Sequence, residues 1–330
     1  VPVPVNLIAT STLILYIGSH RSLRLRDKTS VEACESETLS KEKAMKAPIL
    51  GSLVLITIYL LFKKFVDGKI VNMLLAAYCA IIGAFALAAT VDPVLVQLMG
   101  SPDSKRYGSK FDLPSIGEMD LTFTVTEMAS FAVGVALSAV YTRTGNWALN
   151  NIFGITFCVQ AMERVSLGSM KVSAILLVGL FVYDIAWVYG GPVMESVAKS
   201  VQGPIKILFV SAWADPTADP PTNLKTSLLG LGDIVVPGLF ASLLLRFDAN
   251  RAEADPLLSE HGRFSKPYFH ACLVAYVAGL AATVTVMFYF KAAQPALFYL
   301  VPACLLATAA TALLRQEIKV LMDYDEENQE

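Results

Sequence analysis

Long apolar runs separated by short polar segments dominate the chain. Nine runs approach the roughly 20 mostly apolar residues that cross a bilayer as a helix. They are 1–18, 48–62, 70–98, 123–141, 146–162, 172–189, 227–245, 269–290 and 293–314. The second is short, and its helix is expected to begin within AMKAPIL. The third is long and is expected to break at Asp92-Pro93. Residues 193–210 are amphipathic and interrupted by Gly203-Pro204, so they read as an interfacial helix or a linker. Residues 211–226, SAWADPTADPPTNLKT, read as a loop. There is no internal repeat and no low-complexity run.

Composition agrees with that pattern. Of 330 residues, 55% are apolar and 16% charged, where soluble domains carry about 25% charged residues. Mean hydropathy is +0.56. The expected class is an all-α membrane protein of nine transmembrane helices. A net charge of −2 gives no footprint for nucleic acid. His20, His261 and His270 fall near span ends without metal-pair spacing, and no CxxC occurs. Cys79, Cys158, Cys272 and Cys304 lie in apolar runs and Cys34 in a polar loop, so all five read as free thiols. No metal or organic cofactor is implied. No basic stretch precedes the first run, which therefore does not read as an intact signal peptide; with Val1 in first place, a trimmed N-terminus is expected. Counted over alternate loops, Lys and Arg divide 18 to 8. The richer set faces the cytoplasm, giving a lumenal N-terminus and a cytoplasmic C-terminus. The charged cluster over 21–46 mixes both signs and reads as a solvated loop.

Acids inside apolar runs carry the candidate chemistry. A carboxylate costs roughly 2.5–3.5 kcal/mol at the centre of an inserted helix. Asp184 lies five residues before the end of span 6, and Asp233 six residues into span 7. Consecutive spans are antiparallel, so both acids fall at one end, roughly 7–9 Å inside the boundary at 1.5 Å per residue. Either acid alone also fits an ion pair, a coupling-ion site or a helix–helix hydrogen bond. Two at matched depth point to a shared site. Facing acids at low dielectric do not both ionise readily and titrate as a unit. Such a pair hydrolyses amides: one member takes a proton from water while the other hydrogen-bonds the carbonyl oxygen. Gly230 and Gly232, flanking Leu231 ahead of Asp233, are expected to let a helix or a substrate backbone approach. Asp92 reads as a helix cap beside Pro93, and Glu127 as a snorkelling acid near the end of span 4.

YD at 183–184, GLGD at 230–233 and QPAL at 294–297 together resemble the signal peptide peptidase family of presenilin-like intramembrane aspartyl proteases. NNIFGITF at 150–157, VMESVAKS at 193–200, GLGDIVVPGLFASLLLRFD at 230–248 and QPALFYLVPA at 294–303 extend the likeness, which runs from about 150 to 320 and is weaker over spans 1–4. The resemblance implies a nine-helix fold with a lumenal N-terminus, residence in the endoplasmic reticulum membrane, and cleavage of peptide bonds within signal-peptide remnants and type II transmembrane segments. Under it, Asp184 and Asp233 match the catalytic aspartates. Tyr183, Gly230, Leu231, Gly232, Gln294, Pro295, Ala296 and Leu297 match the elements around the substrate. Residues 1–145 then form a scaffold that is either a substrate gate or an oligomer contact, and 146–330 the catalytic half. Expected partners are membrane lipid, these peptide substrates, further copies of the chain and membrane-protein degradation machinery. The tail YDEENQE lacks a dibasic retrieval signal, and no Asn-x-Ser/Thr sequon occurs.

Plainer readings stand beside these. Pro295 suits the first turn of a helix, where a missing N–H costs nothing. An unwound stretch ahead of it would also expose backbone groups able to hold substrate as an added strand. Pro237 and Pro302 lie inside spans and are read as kinks or as packing, and Gly190-Gly191-Pro192 as a helix stop or a hinge. HExxH and GxSG are absent, which removes the metalloprotease and rhomboid readings. An ion-coupled transporter and a non-catalytic quality-control factor of the same fold remain as alternatives.

Overall fold

Helix boundaries fall where side chains can satisfy the unpaired amides of a first turn. Ser40 accepts from the Lys43 amide at 3.3 Å, Asn146 from Ala148 at 2.8 Å and Ser169 from Val172 at 3.3 Å. Thr124 and Glu127 form a reciprocal capping box at 3.2 and 2.9 Å. Glu127 is thus committed to a helix start and does not snorkel. Gly145, at φ +57°, closes the preceding helix in the left-handed conformation glycine adopts freely.

The computed structural model describes residues 3–27, 37–65, 68–98, 107–113, 117–191, 193–201, 203–212, 225–252, 264–290 and 294–326. Cys34, His261 and most of the 211–226 segment lie outside them. The helices are α1 (Val3–Asp27), α2 (Lys41–Leu60, continued by a π turn Leu61–Phe65), α3 (Gly68–Leu98), α4 (Val125–Thr144), α5 (Trp147–Arg164), α6 (Met170–Tyr189), α7 (Val193–Ser200), α8 (Gly232–Arg251), α9 (Pro267–Phe290), α10 (Ala296–Leu314) and α11 (Ile318–Met322). The chain is not purely helical. Strands β1 (Glu37–Thr38) and β4 (Val165–Ser166) pair in parallel; β2 (Tyr107–Leu113) pairs antiparallel with β3 (Gly117–Phe123), and β5 (Lys206–Ala212) with β6 (Lys225–Gly230).

Seven helices among the described residues are long and apolar enough to cross a membrane: α1, α2 with its π turn, α3, α4, α6, α9 and α10. Two more of comparable length, α5 and α8, are too polar for that criterion. They are wrapped by protein: α8 buries thirteen residues, including Arg246 and Asp248, and α5 buries Asn150, Thr156 and Gln160. Their polar groups need protein partners, and lipid does not select their composition. The outer faces show the reverse, with Ile49 71%, Leu74 63% and Leu314 87% exposed. Apolar exposure on that scale matches a lipid-facing surface.

Contacts between helices fix their relative directions. Gly83 meets Phe153 and Thr90 meets Gln160, so α3 and α5 are parallel. Ser19 bonds Ser242 and Ser22 bonds Arg246, so α1 and α8 are parallel. Gly134 and Ser138 of α4 contact Ala84 and Ala80 of α3 in antiparallel order. Pro48 lies against Gly179 and Gly51 against Tyr183, making α2 and α6 parallel. Asp248 accepts from the Tyr268 and Phe269 amides at 3.3 and 2.8 Å, turning α9 back along α8.

Small residues set the closest approaches. Met162 of α5 sits between Gly18 of α1 and Gly238 of α8; a Cβ at either glycine would lie 2.2 or 2.3 Å from its side chain. At Gly134 an added Cβ would stand 2.4 Å from the Ala84 carbonyl oxygen, which cannot swing aside. Gly134→Ala is therefore expected to destabilise by about 1–3 kcal/mol, read as a lower Tm in detergent, whereas Gly145→Asn, in open space, leaves the α3–α4 contact intact.

The expected break at Asp92-Pro93 does not occur: α3 continues through Pro93 to Leu98. Proline removes the amide that would have bonded the carbonyl four residues back. Here that carbonyl, on Ala89, accepts from Arg21 of α1 at 3.2 Å, and the neighbouring Thr90 carbonyl accepts at 2.9 Å. Arg21 is held in place by Glu163 at 3.1 Å. Asp92 caps nothing, and its Oδ1 is buried without a hydrogen bond among the described residues.

Candidate active site

Span 6 is found as α6, and Asp184 lies five residues before its C-terminal Tyr189. The side chain is only 5% exposed. The turn beyond it is anchored to α2 by Trp187, whose indole N–H donates to Ser52 at 3.0 Å. Tyr183 is half-buried and lies against α2, with ring atoms 3.5–3.8 Å from where a Gly51 Cβ would stand.

The expected span 7 is corrected at its start. Residues 225–230 are strand β6, and helix α8 begins only at Gly232. Asp233 thus occupies the first turn of a helix that an extended strand enters directly, where the helix dipole favours an acid. The amphipathic 193–210 segment likewise divides into helix α7 and strand β5. One edge of the hairpin is closed by α5. Asn150 donates to the Lys206 carbonyl at 2.8 Å, while Asn151 accepts from the Leu208 amide at 2.8 Å and donates to its carbonyl at 2.7 Å. Two asparagines thus act as a substitute strand. The outer edge of β6 has no strand partner among the described residues.

The glycines of GLGD behave differently. A Cβ on Gly230 would lie 3.3 Å from Asp233 Oδ2, whereas one on Gly232 would meet nothing within 4 Å. Gly230 makes room for the carboxylate, and Gly232 leaves an open face beside it. Leu231 packs on Gly154 of α5, donates its amide to the Ile205 carbonyl at 3.2 Å, and accepts from Val235 at 2.9 Å. Pro237, one turn on, lacks the N–H that would have bonded the Asp233 carbonyl.

The QPAL element closes the site. Pro295 is the N-cap of α10 in extended conformation, φ −68° and ψ 112°. The Leu297 amide donates to Asp184 Oδ2 at 3.0 Å. That N–H is therefore not offered to a strand; it holds the acid. Ala296 and Leu297 turn their side chains into the core, 8% and 6% exposed. Gln294 accepts from Tyr189 at 3.2 Å and from Tyr299 at 3.5 Å, linking the ends of α6 and α10. Helices α6, α8 and α10 pack on one another. The end of α6 and the starts of α8 and α10 thus converge at one end of the bundle. Sequence reading passed over Asn150 and Asn151 as hairpin anchors, although they stand inside a quoted motif.

The chain as a whole is similar to known proteins. The family model described as signal peptide peptidase matches residues 32–328. Among curated proteins, the signal peptide peptidase of Mus musculus is 33% identical over 98% of this chain and 83% of its own length. The Homo sapiens protein of that name is 32% identical over the same shares. Intramembrane protease 2 of Caenorhabditis elegans is 46% identical over 55% of this chain and 39% of its own length. With several helices apolar enough to span a bilayer, and with likeness extending over nearly the whole length, the chain is a multi-pass membrane protein that belongs to the signal peptide peptidase family.

Proposed function

We propose that this protein is an intramembrane aspartyl endopeptidase in which Asp184 and Asp233 activate one water molecule. The observation carrying the reading is the meeting of three chain segments at one point. Asp184 is oriented by the Leu297 amide, and Asp233 stands in the first turn of α8, which packs on both α6 and α10. One carboxylate takes a proton from the water as its oxygen bonds to the amide carbon. The other, protonated, donates to the carbonyl oxygen as that oxygen gains charge. The resulting tetrahedral species collapses when the amide nitrogen accepts a proton and leaves as an amine. Substrate must arrive extended, because helical amides are shielded by their own hydrogen bonds. The open edge of β6 and the free space at Gly232 suit an extended segment beside Asp233.

Related proteins are named signal peptide peptidases, which supports signal-peptide remnants and type II transmembrane segments as substrates. Counting α5 and α8, nine helices thread the bilayer alternately, a reading that the contact-derived directions support. The Lys and Arg distribution supports a lumenal N-terminus and residence in the endoplasmic reticulum membrane. Residues 146–330 carry the chemistry, and the helices before them gate substrate or contact other copies of the chain.

The test is cleavage of a synthetic type II transmembrane peptide by purified protein in detergent. Products from cuts inside the apolar stretch are expected, and an intact peptide overturns the proposal. Gly230→Ala pushes the Asp233 carboxylate by a few tenths of an ångström and should lower kcat by roughly tenfold. Gly232→Ala should instead raise KM, because its Cβ enters only the space left for substrate.

A further inference from the structure

Three asparagines on two helices donate to one stretch of backbone ahead of the site. Asn72 of α3 donates to the Ser200 carbonyl at 3.0 Å, Asn150 of α5 to the Lys206 carbonyl at 2.8 Å, and Asn151 to the Leu208 carbonyl at 2.7 Å. Asn151 also accepts from the Leu208 amide at 2.8 Å. Ser200 ends α7, so its carbonyl is one that a helix leaves without an internal partner. Along an antiparallel strand, successive residues turn their amide and carbonyl to opposite sides. The Leu231 amide bonds the Ile205 carbonyl at 3.2 Å, so residue 205 faces the β6 side. Residues 206 and 208 therefore face α5, where the asparagines meet them. Their register partners on β6, Gly230 and Leu228, face the open edge.

A two-stranded hairpin is marginal unless a third strand or a packed face supports it. Ile207, Phe209 and Leu229 are buried and hold one face down. Face packing does not satisfy the edge of β5; the asparagines do. They leave a single edge for an extended peptide, on a strand that ends at Gly230, just ahead of Asp233. Resting on the proteolytic reading above, we infer that Asn72, Asn150 and Asn151 are positioning residues that keep the β5–β6 hairpin formed before substrate arrives. A peptide then meets a ready strand edge and does not bear the entropy of ordering it. When only a fraction of the resting population carries a formed hairpin, the apparent affinity falls by that fraction. Bound peptide supplies the missing strand, so the rate at saturation is preserved.

Asn150 also accepts from the Tyr141 hydroxyl at 3.2 Å, so Asn151→Ala is the cleaner variant. Its KM for the synthetic type II transmembrane peptide should rise roughly tenfold, the worth of two neutral hydrogen bonds, with kcat within about twofold of wild type. Hydrogen exchange of the 206–209 and 227–230 amides, followed on the whole protein in detergent without peptide, should quicken by roughly the same factor. Asn72→Ala, which removes one bond from another helix, should raise KM roughly threefold in the same way, and it carries the test if the first variant does not fold. Unchanged KM or unchanged exchange overturns the inference. So does a kcat that falls as far as KM rises, because that is the mark of a damaged fold and not of a lost edge. Active wild type beside an Asn151→Ala protein of unchanged KM removes this inference alone, whereas inactive wild type removes the proteolytic reading and the inference with it.

Discussion

Alanine at Asp233 is expected to lower the rate of peptide cleavage by roughly 10³-fold or more while leaving Tm unchanged or slightly raised. Asp233 has no hydrogen bond to lose among the described residues, and it is half-buried. Its removal therefore relieves the cost of burying an acid and leaves no partner stranded. Asp184→Asn approaches the same question from the other side. The amide keeps the volume of the acid, and its oxygen can still accept from Leu297, the contact now made at 3.0 Å. What it loses is the charge and the exchangeable proton, so an equally deep loss of activity with a retained fold is expected. The assay is initial-rate cleavage of the transmembrane peptide, with a melting curve on each sample. A variant at either position that keeps a tenth of wild-type activity would end the two-acid mechanism.

Glu326→Ala should cost about 3–5 kcal/mol and lower Tm by on the order of 10 °C, with little effect on cleavage at low temperature. Arg246 and Glu326 are 6% and 2% exposed and meet at 2.7 Å. The guanidinium also donates to Ser22 at 3.0 Å and Ser166 at 3.1 Å, and Ser166 donates to Glu326. The Glu326 amide is bound by the Gly168 carbonyl at 2.8 Å. The last described residue thus ties α1, α8 and the α5–α6 connection together. Removing the carboxylate strands a buried cation with two hydroxyls, which do not compensate its charge. Replacing both partners, Arg246→Met with Glu326→Leu, should recover much of the loss, because the penalty lies in the unpaired charge. Activity should be spared, because Arg246 lies thirteen residues along α8 from Asp233, about 20 Å at 1.5 Å per residue. A Glu326→Ala protein with wild-type Tm would show that the pair contributes nothing net.

The apolar runs located helices well, because lipid demands length and hydropathy from each span separately. Errors gathered where protein replaced lipid as the surroundings. The break expected at Pro93 is absent because Arg21, far away in sequence, donates to the carbonyl that proline leaves unpaired. Glu127 proved to be a capping residue, for which the Thr124-x-x-Glu127 spacing was a legible signal. Strand β6 was merged into span 7 because SLLGLG is apolar enough to continue a helix, and β5, its partner, lies across a proline-rich segment in sequence. The candidate site was legible only as residue types and their order along the chain. The unequal roles of Gly230 and Gly232 and the use of the Leu297 amide were not.

Sequence by itself settled that this is a membrane protein of many helices, that two acids lie inside apolar runs, and that YD, GLGD and QPAL follow one another along the chain. Each of those is a local property of the chain. Which face of each helix turns inward was decided only by the tertiary structure. In water an apolar stripe marks the buried face, but in lipid the outer face is apolar too, so that periodicity fades. Small residues and scattered polar groups then choose the contacts, and their partners lie far along the chain, as Leu297 does from Asp184.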